Sequence, residues 1–190
     1  MTADAPVQVL LLSGSLRAGS TNTALLQTAQ AISPSGLRCT LYAGLASLPP
    51  FNPDDDHEPL HPAVVDLRRQ VAQASALLVC TPEYAGGLPG SFKNLLDWLV
   101  GGGEGDRKPV AWINAAGPGA PTGAADAHRS LSTVLGYLGA DLVEEACVRV
   151  PVLRQQIGLD GLIQDPEVQA QVAAVLESIA ARVRADRAAL

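Results

Sequence analysis

The chain has 190 residues, of which 47% are apolar and 17% charged, so it can bury a sizeable core as one domain over 1–190 and is not a disordered sequence. A formal net charge of −6 argues against a nucleic-acid partner, since phosphate backbones are met by basic stripes, and the pairs Arg68-Arg69 and Arg107-Lys108 read as solvated faces. No apolar run approaches the ~20 residues of a membrane span, and the N-terminal MTADAPVQVLLL shows neither a cationic leader nor a small-residue cleavage site.

Val7–Leu12 (VQVLLL) is a short, nearly continuous apolar run, the pattern of a parallel strand covered on both faces. The polar stretch SGSLRAGSTN follows, and then Leu25, Leu26, Ala29 and Ile32 fall on one face of a helix that begins at Thr21 or Asn22. Leu37–Tyr42 reads as a weaker strand, and Val64, Leu67 and Val71 repeat at helical spacing. Ala76–Thr81 (ALLVCT) is a second buried-strand pattern. After it Phe92, Leu95, Leu96 and Leu99 mark a helix that stops at Gly101. Pro109–Asn114 and Leu142–Val150 are the fourth and fifth strands. The last helix is the clearest, with Asp165 as N-cap, Pro166 in the first turn, and a stripe through Val168, Val172, Val175, Leu176, Ile179 and Val183.

Five strands alternating with five helices imply an α/β fold: a doubly wound, flavodoxin-like, five-stranded parallel sheet of order 2-1-3-4-5, with helices on both faces. Ligands of such sheets sit beyond the carboxyl ends of the strands, where the strand order reverses. That directs attention to the loops starting at Ser13, Pro82 and Ala115. The three cysteines, Cys39, Cys80 and Cys147, are far apart without CxxC spacing, the usage of reduced thiols in a cytoplasm rather than of a disulfide or zinc site.

In the first loop a helix N-terminus with its free N–H groups and dipole makes an anion site. Ser15, Ser20, Thr21 and Thr23 add hydroxyls, Asn22 an amide and Arg17 a permanent charge, while the same Ser, Thr and Asn residues also suit plain helix capping. The loop is neither G-x-x-x-x-G-K-[ST] nor G-x-G-x-x-G. In the second loop, TPEYAGGLPG, the Gly86-Gly87 pair lets main chain lie flat against a planar ligand. The alternative there is an ordinary strand–turn–helix connection with Tyr84 packed and Glu83 capping a neighbour. The third loop, NAAGPGAPTG, offers only backbone amides to a ligand, or is a plain surface loop.

GSLRAGSTN together with TPEYAGGLPGSFKNLLDW resembles the NADPH-dependent FMN reductase family, with the patterns G-S-x-R-x-x-S-x-N and P-E-Y-N-x-S-x-P-G-x-[LF]-K-N-x-[IL]-D-W. LPPFNPDDD and LGYLGADLV are also similar to family segments, so the likeness covers most of the chain. The resemblance implies an FMN phosphate on Ser15, Arg17, Ser20 and Asn22 with help around Thr21 and Thr23. It puts the isoalloxazine ring along Pro82, Glu83, Tyr84, Ala85 and Gly86, and its far edge near Ala116 and Gly117. The family's Asn and Ser of the second motif are Ala85 and Gly87 here, and Leu99-Val100-Gly101 follows Trp98 in place of the usual Arg.

By the same resemblance the chemistry belongs to the flavin. NADPH or NADH passes hydride to its N5, and a quinone, flavin, azo or metal-oxyanion acceptor then takes it in ping-pong fashion, with no dedicated catalytic side chain. A homodimer or homotetramer is also implied. Two other classes share such a scaffold: an electron carrier that docks with protein partners, and a non-flavin regulatory domain.

Outside these loops three features have open readings. The cluster DDDHEPLH (Asp54–His61) is a metal site or a solvated loop. His128 is a helix-surface or interface residue. Trp98 and Leu99 either join a subunit interface or belong to a wide core-facing stripe.

Overall fold

The computed structural model describes residues 5–189. Residues 1–4, part of the stretch read as leaderless, and residue 190 lie outside the described residues. In chain order the elements are β1 (Val7–Ser13), α1 (Thr21–Ala31), β2 (Leu37–Leu41), α2 (Pro62–Gln73), β3 (Ala76–Cys80), α3 (Gly90–Val100), β4 (Pro109–Asn114), α4 (Ala125–Tyr137), β5 (Asp141–Leu142), β6 (Val148–Arg149) and α5 (Pro166–Ala188). Every described strand pairing is parallel, in the order β2-β1-β3-β4-β5, with β6 also on β4. This is the doubly wound flavodoxin-like sheet expected from the alternation of patterns.

The sheet separates two cores, as alternation along a doubly covered strand requires. Val9 and Leu11 of β1 join α1 and α5 on one face, and Leu10 and Leu12 join α2, α3 and α4 on the other. The helix start read at Asp165 holds: its carboxylate accepts from Glu167 N at 2.9 Å and Val168 N at 3.2 Å, with Pro166 in the first turn.

The single strand expected over Leu142–Val150 is two. Asp141–Leu142 pairs with Pro109–Val110, and Val148–Arg149 pairs with Ile113–Asn114. Between them Glu144–Ala146 forms a short 3-10 turn. Two adjacent carboxylates cannot both leave a sheet whose faces are covered. The turn sends Glu144 and Glu145 to solvent while Val143 and Ala146 stay fully buried.

Trp98 and Leu99 belong to the core of this chain, at 1% and 0% exposure. One helix stripe is too narrow for them, and the loop LPPF supplies the missing cover. Phe51 meets the Trp98 ring edge-on at 5.0 Å, and the Trp98 indole N–H donates to Pro49 O at 2.9 Å. Asn94 holds the same loop at both ends, donating to Pro49 O (2.9 Å) and accepting from Phe51 N (2.7 Å). These two residues of the second motif therefore anchor a loop.

Arg68 is not a solvated charge. Its guanidinium donates to Trp98 O through Nε (3.0 Å) and Nη2 (2.7 Å), and pairs with Asp56 at 2.7 Å, both side chains being largely buried. A Cβ at Gly101 would lie 2.0 Å from Asp56 Oδ2, so a side chain there would displace the Asp56 carboxylate from its present place in this pair. Lys108 of the other basic pair is half-buried, donating to Ala74 O at 2.7 Å. In Asp54–His61, Asp56 is taken by Arg68, and His61 caps α2 by accepting from Ala63 N. Among the described residues no group of three or more His, Cys, Asp or Glu is arranged to hold a metal ion. No described helix is long and apolar enough to cross a membrane.

Candidate functional site at the carboxyl ends of the strands

Strands β1, β3 and β4 end side by side, and the start of α1 and the loops that leave β3 and β4 line one cleft. Gly14 starts the first loop by donating to Cys80 O at 2.9 Å, across the boundary between β1 and β3. Its missing side chain is required there, because a Cβ would lie 2.1 Å from Thr81 Oγ1. The loop folds over hydroxyls: Ser13 Oγ and Thr23 Oγ1 are 2.7 Å apart, Ser15 N donates to Ser13 Oγ, and Arg17 N donates to Ser15 Oγ at 3.2 Å. Gly19, at φ +65°, turns the chain into α1.

Ser20 occupies the N-cap of α1, yet its hydroxyl makes no capping bond, and no acidic residue lies in the first turn. The plain-capping reading of this loop is therefore not what the structure shows. The amino end of α1 keeps its free N–H groups and its partial positive charge where the sheet order reverses. Asn22 is buried, and its Oδ1 accepts from the Cys80 thiol at 3.3 Å.

In the second loop Tyr84 and Gly87 exchange two backbone hydrogen bonds of 3.0 and 3.1 Å around Ala85 and Gly86. Both central residues have positive φ, +51° and +75°, the geometry that favours Asn-Gly. The family's Asn at the first position would meet this demand better than Ala85 does. Gly87 has no such demand, and a Cβ there would meet open space. Glu83 does cap a neighbour. Its carboxylate accepts from Asp126 N and Ala127 N, both at 3.0 Å, and from the Thr122 hydroxyl. The hydroxyl and the two amides hold its carboxyl below the usual range.

The cleft, about 230 Å³, is lined by Thr21, Asn22, Pro82, Glu83, Ala116 and Gly117 of the expected residues, together with Thr81, Ala115, Pro121, Thr122 and Val152. Thr122 belongs to the third loop, from which only backbone amides were expected, and Val152 carried no signal in its local sequence. Ser15, Arg17 and Thr23 lie on the outer flank of the first loop, where they line a second concavity of about 310 Å³ with Tyr42. Ser20 is buried and lines neither concavity, and Tyr84, Ala85 and Gly86 stand on an exposed turn.

His128 lies in the first turn of α4, and the structure places it inside the fold rather than on the surface. It is 6% exposed, its ring centroid is 4.3 Å from Trp112, and neither ring nitrogen has a partner among the described residues. Burial pushes its pKa down to about 4, against a smaller opposing pull from Glu83. Neutral His128 thus favours the fold above pH 6.5. As pH falls toward 4 the unfolded chain takes up a proton that the folded chain refuses, and stability drops by about 1.4 kcal/mol per pH unit. Urea unfolding at pH 7 and pH 4.5 measures the loss, and His128→Leu removes most of it. An equal loss in both proteins refutes the assignment.

Three comparisons bear on this site. The family model described as NADPH-dependent FMN reductase matches residues 7–152. The chain is 31% identical over 180 residues to an NAD(P)H-dependent FMN reductase of Pseudomonas aeruginosa, covering 94% of this chain and 96% of that one. It is 37% identical over 94 residues, about half of each chain, to a quinone reductase of Escherichia coli. Among solved structures, the flavoenzyme NAD(P)H:(acceptor) oxidoreductase FerB of Paracoccus denitrificans is similar, with a TM-score of 0.77, 26% identity and coverage of 92% of this chain and 98% of that one.

Proposed function

Since the chain belongs to the NADPH-dependent FMN reductase family, we propose that the cleft at its strand ends holds FMN and that it passes electrons from NAD(P)H to a quinone. The protein is an oxidoreductase. The observation that carries the cofactor assignment is the uncapped amino end of α1, with no capping bond from Ser20 and no acidic residue in its first turn, opening through Thr21 and Asn22 on the cleft. This arrangement fits a phosphate at one end and a flat ring at the other.

In this reading Ser20, Thr21 and Asn22 hold the phosphate from the helix side. Ser15, Thr23 and the exposed Arg17 close on it from the outer flank of the first loop. Pro82–Gly86 and Ala116–Gly117 flank the ring. The second loop's own hydrogen bonds use the N–H groups of Tyr84 and Gly87, which leaves those of Ala85 and Gly86 as donors. Glu83 contributes main chain only, because its carboxylate is engaged on α4. The chemistry supplied by bound FMN is hydride transfer, from NAD(P)H and on to the acceptor in alternating half-reactions. The protein's share is to bind, orient and exclude water.

A cytoplasmic setting and a homodimer or homotetramer complete the proposal. The setting is supported by three free thiols, Cys39 and Cys80 buried and Cys147 partly so.

The test is direct. Purified protein takes up FMN and turns yellow, and Arg17→Ala weakens that binding by about tenfold to a hundredfold, the loss of one charge-assisted contact. Initial rates with NAD(P)H and benzoquinone, without any protein partner, give parallel double-reciprocal lines. Unchanged FMN affinity in Arg17→Ala removes that residue from the phosphate site. Converging lines rule out ping-pong transfer, and no turnover without a protein partner makes the chain an electron carrier.

A further inference from the structure

Helix α4 lacks a cap of its own. Its N-cap position is Ala124, which has no polar side chain and sits at φ +61°, next to Gly123 at φ +60°. A helix start of this kind leaves its first N–H groups unsatisfied and its entry angle loose. The missing acceptor arrives from 43 residues earlier in the chain. Glu83 Oε2 takes both Asp126 N and Ala127 N, and Oε1 takes the Thr122 hydroxyl. Both oxygens are thus committed to the third loop and the helix that follows it, although Glu83 lies between cleft-lining Pro82 and the exposed turn at Tyr84.

The other side-chain bonds to the third loop come from the ends of β4 and β6. Asn114 donates to Gly123 O at 2.7 Å and accepts from Ala116 N at 2.9 Å, and Arg149 reaches Ala116 O at 3.3 Å. None of these joins the second loop to the third. The Glu83 carboxylate alone does so among the described side-chain bonds, and Glu83 and Thr122, which it joins, both line the cleft.

We propose that Glu83 is a positioning residue, a clasp that caps α4 in place of Ala124 and so holds the second and third loops together where both line the cleft. It acts through the third loop and touches no reacting atom. Its role in cofactor binding rests on the reading of the cleft as the FMN site, whereas the clasp itself does not. A carboxylate suits this task because it accepts three donors at once and carries the charge that a helix amino end favours.

The experiment compares wild type, Glu83→Ala, Glu83→Gln and Thr122→Val as purified full chains. Amide hydrogen exchange over 120–128 reads the clasp, and FMN release on dilution, followed by flavin fluorescence, reads the cleft. Expected for Glu83→Ala is exchange at 125–128 faster by about tenfold or more, and FMN affinity lower by about tenfold, with β1 and β3 protection unchanged. Glu83→Gln keeps an acceptor oxygen and restores much of both, and Thr122→Val, which leaves the amide contacts intact, gives a smaller effect.

Unchanged exchange in Glu83→Ala and Glu83→Gln overturns the clasp. Faster exchange with FMN affinity equal to wild type overturns the positioning role and leaves a cap only. Wild-type protein that retains no FMN sinks the cofactor reading, and exchange then decides the clasp by itself.

Discussion

Gly14→Ala destabilises the protein by about 3 kcal/mol, the upper part of the usual range for overpacking a tight site. The added Cβ would lie 2.1 Å from Thr81 Oγ1, 2.6 Å from Thr81 Cβ and 3.1 Å from Thr81 Cα. A rotamer change of Thr81 removes only the first contact. The other two are fixed by backbone, and this backbone is pinned where Gly14 N donates to Cys80 O. The first and second loops therefore have to separate. The thermal midpoint of the variant falls by about 6–12 °C, as expected for a chain of this size, and FMN affinity falls with it. Combining Gly14→Ala with Thr81→Gly, which deletes the two closest atoms, recovers part of the loss and shows a favourable coupling of about 1–3 kcal/mol. A Gly14→Ala midpoint within 2 °C of wild type, a shift of about 1 kcal/mol or less, shows that the two loops can part freely and rejects the argument.

Trp98→Ala costs more, about 3–5 kcal/mol, because it empties one of the largest fully buried sites in the chain. The indole also carries the hydrogen bond to Pro49 O and the edge-on contact with Phe51 that hold the 48–52 loop over α3. Trp98→Phe keeps most of the volume and loses the hydrogen bond, for a smaller cost of about 1 kcal/mol from that bond plus a term for the shortened ring. Urea denaturation gives the three stabilities, and limited proteolysis reads the loop. The Ala variant is cut near Pro49–Phe51 under conditions where wild type resists. If Trp98→Ala loses under 1 kcal/mol, the residue belongs to an interface between subunits and the core assignment is wrong.

The places where the sequence misleads share a cause. His128 looks like a surface residue on its own helix, yet it is buried beside Trp112 from β4. Arg68 stands beside the exposed Arg69 as one of a pair, and only Asp56 and the end of α3 distinguish it. Asn94 and Trp98 sit inside a cofactor-like motif, yet their polar atoms are used on Pro49 and Phe51. In each case the deciding partner is twelve or more residues distant and on another element, so no local pattern contains it. The break between β5 and β6 is different, since the adjacent Glu144-Glu145 was a local signal against one continuous strand.

The amino-acid sequence by itself determined the alternation of strands and helices, the sheet order, the helix start at Asp165 and the three loops at the strand ends. These follow from hydrophobic period, capping chemistry and turn residues, which act over a few neighbouring positions. Tertiary structure alone decided how those loops divide the work. It left Ser20 idle at the amino end of α1, and it put Ser15, Arg17 and Thr23 on the outer flank of the first loop. It joined the Glu83 carboxylate to Thr122 and to the amino end of α4. Hydrogen-bond acceptors are claimed by whichever donors the fold brings within about 3 Å, and that competition is settled across the sheet.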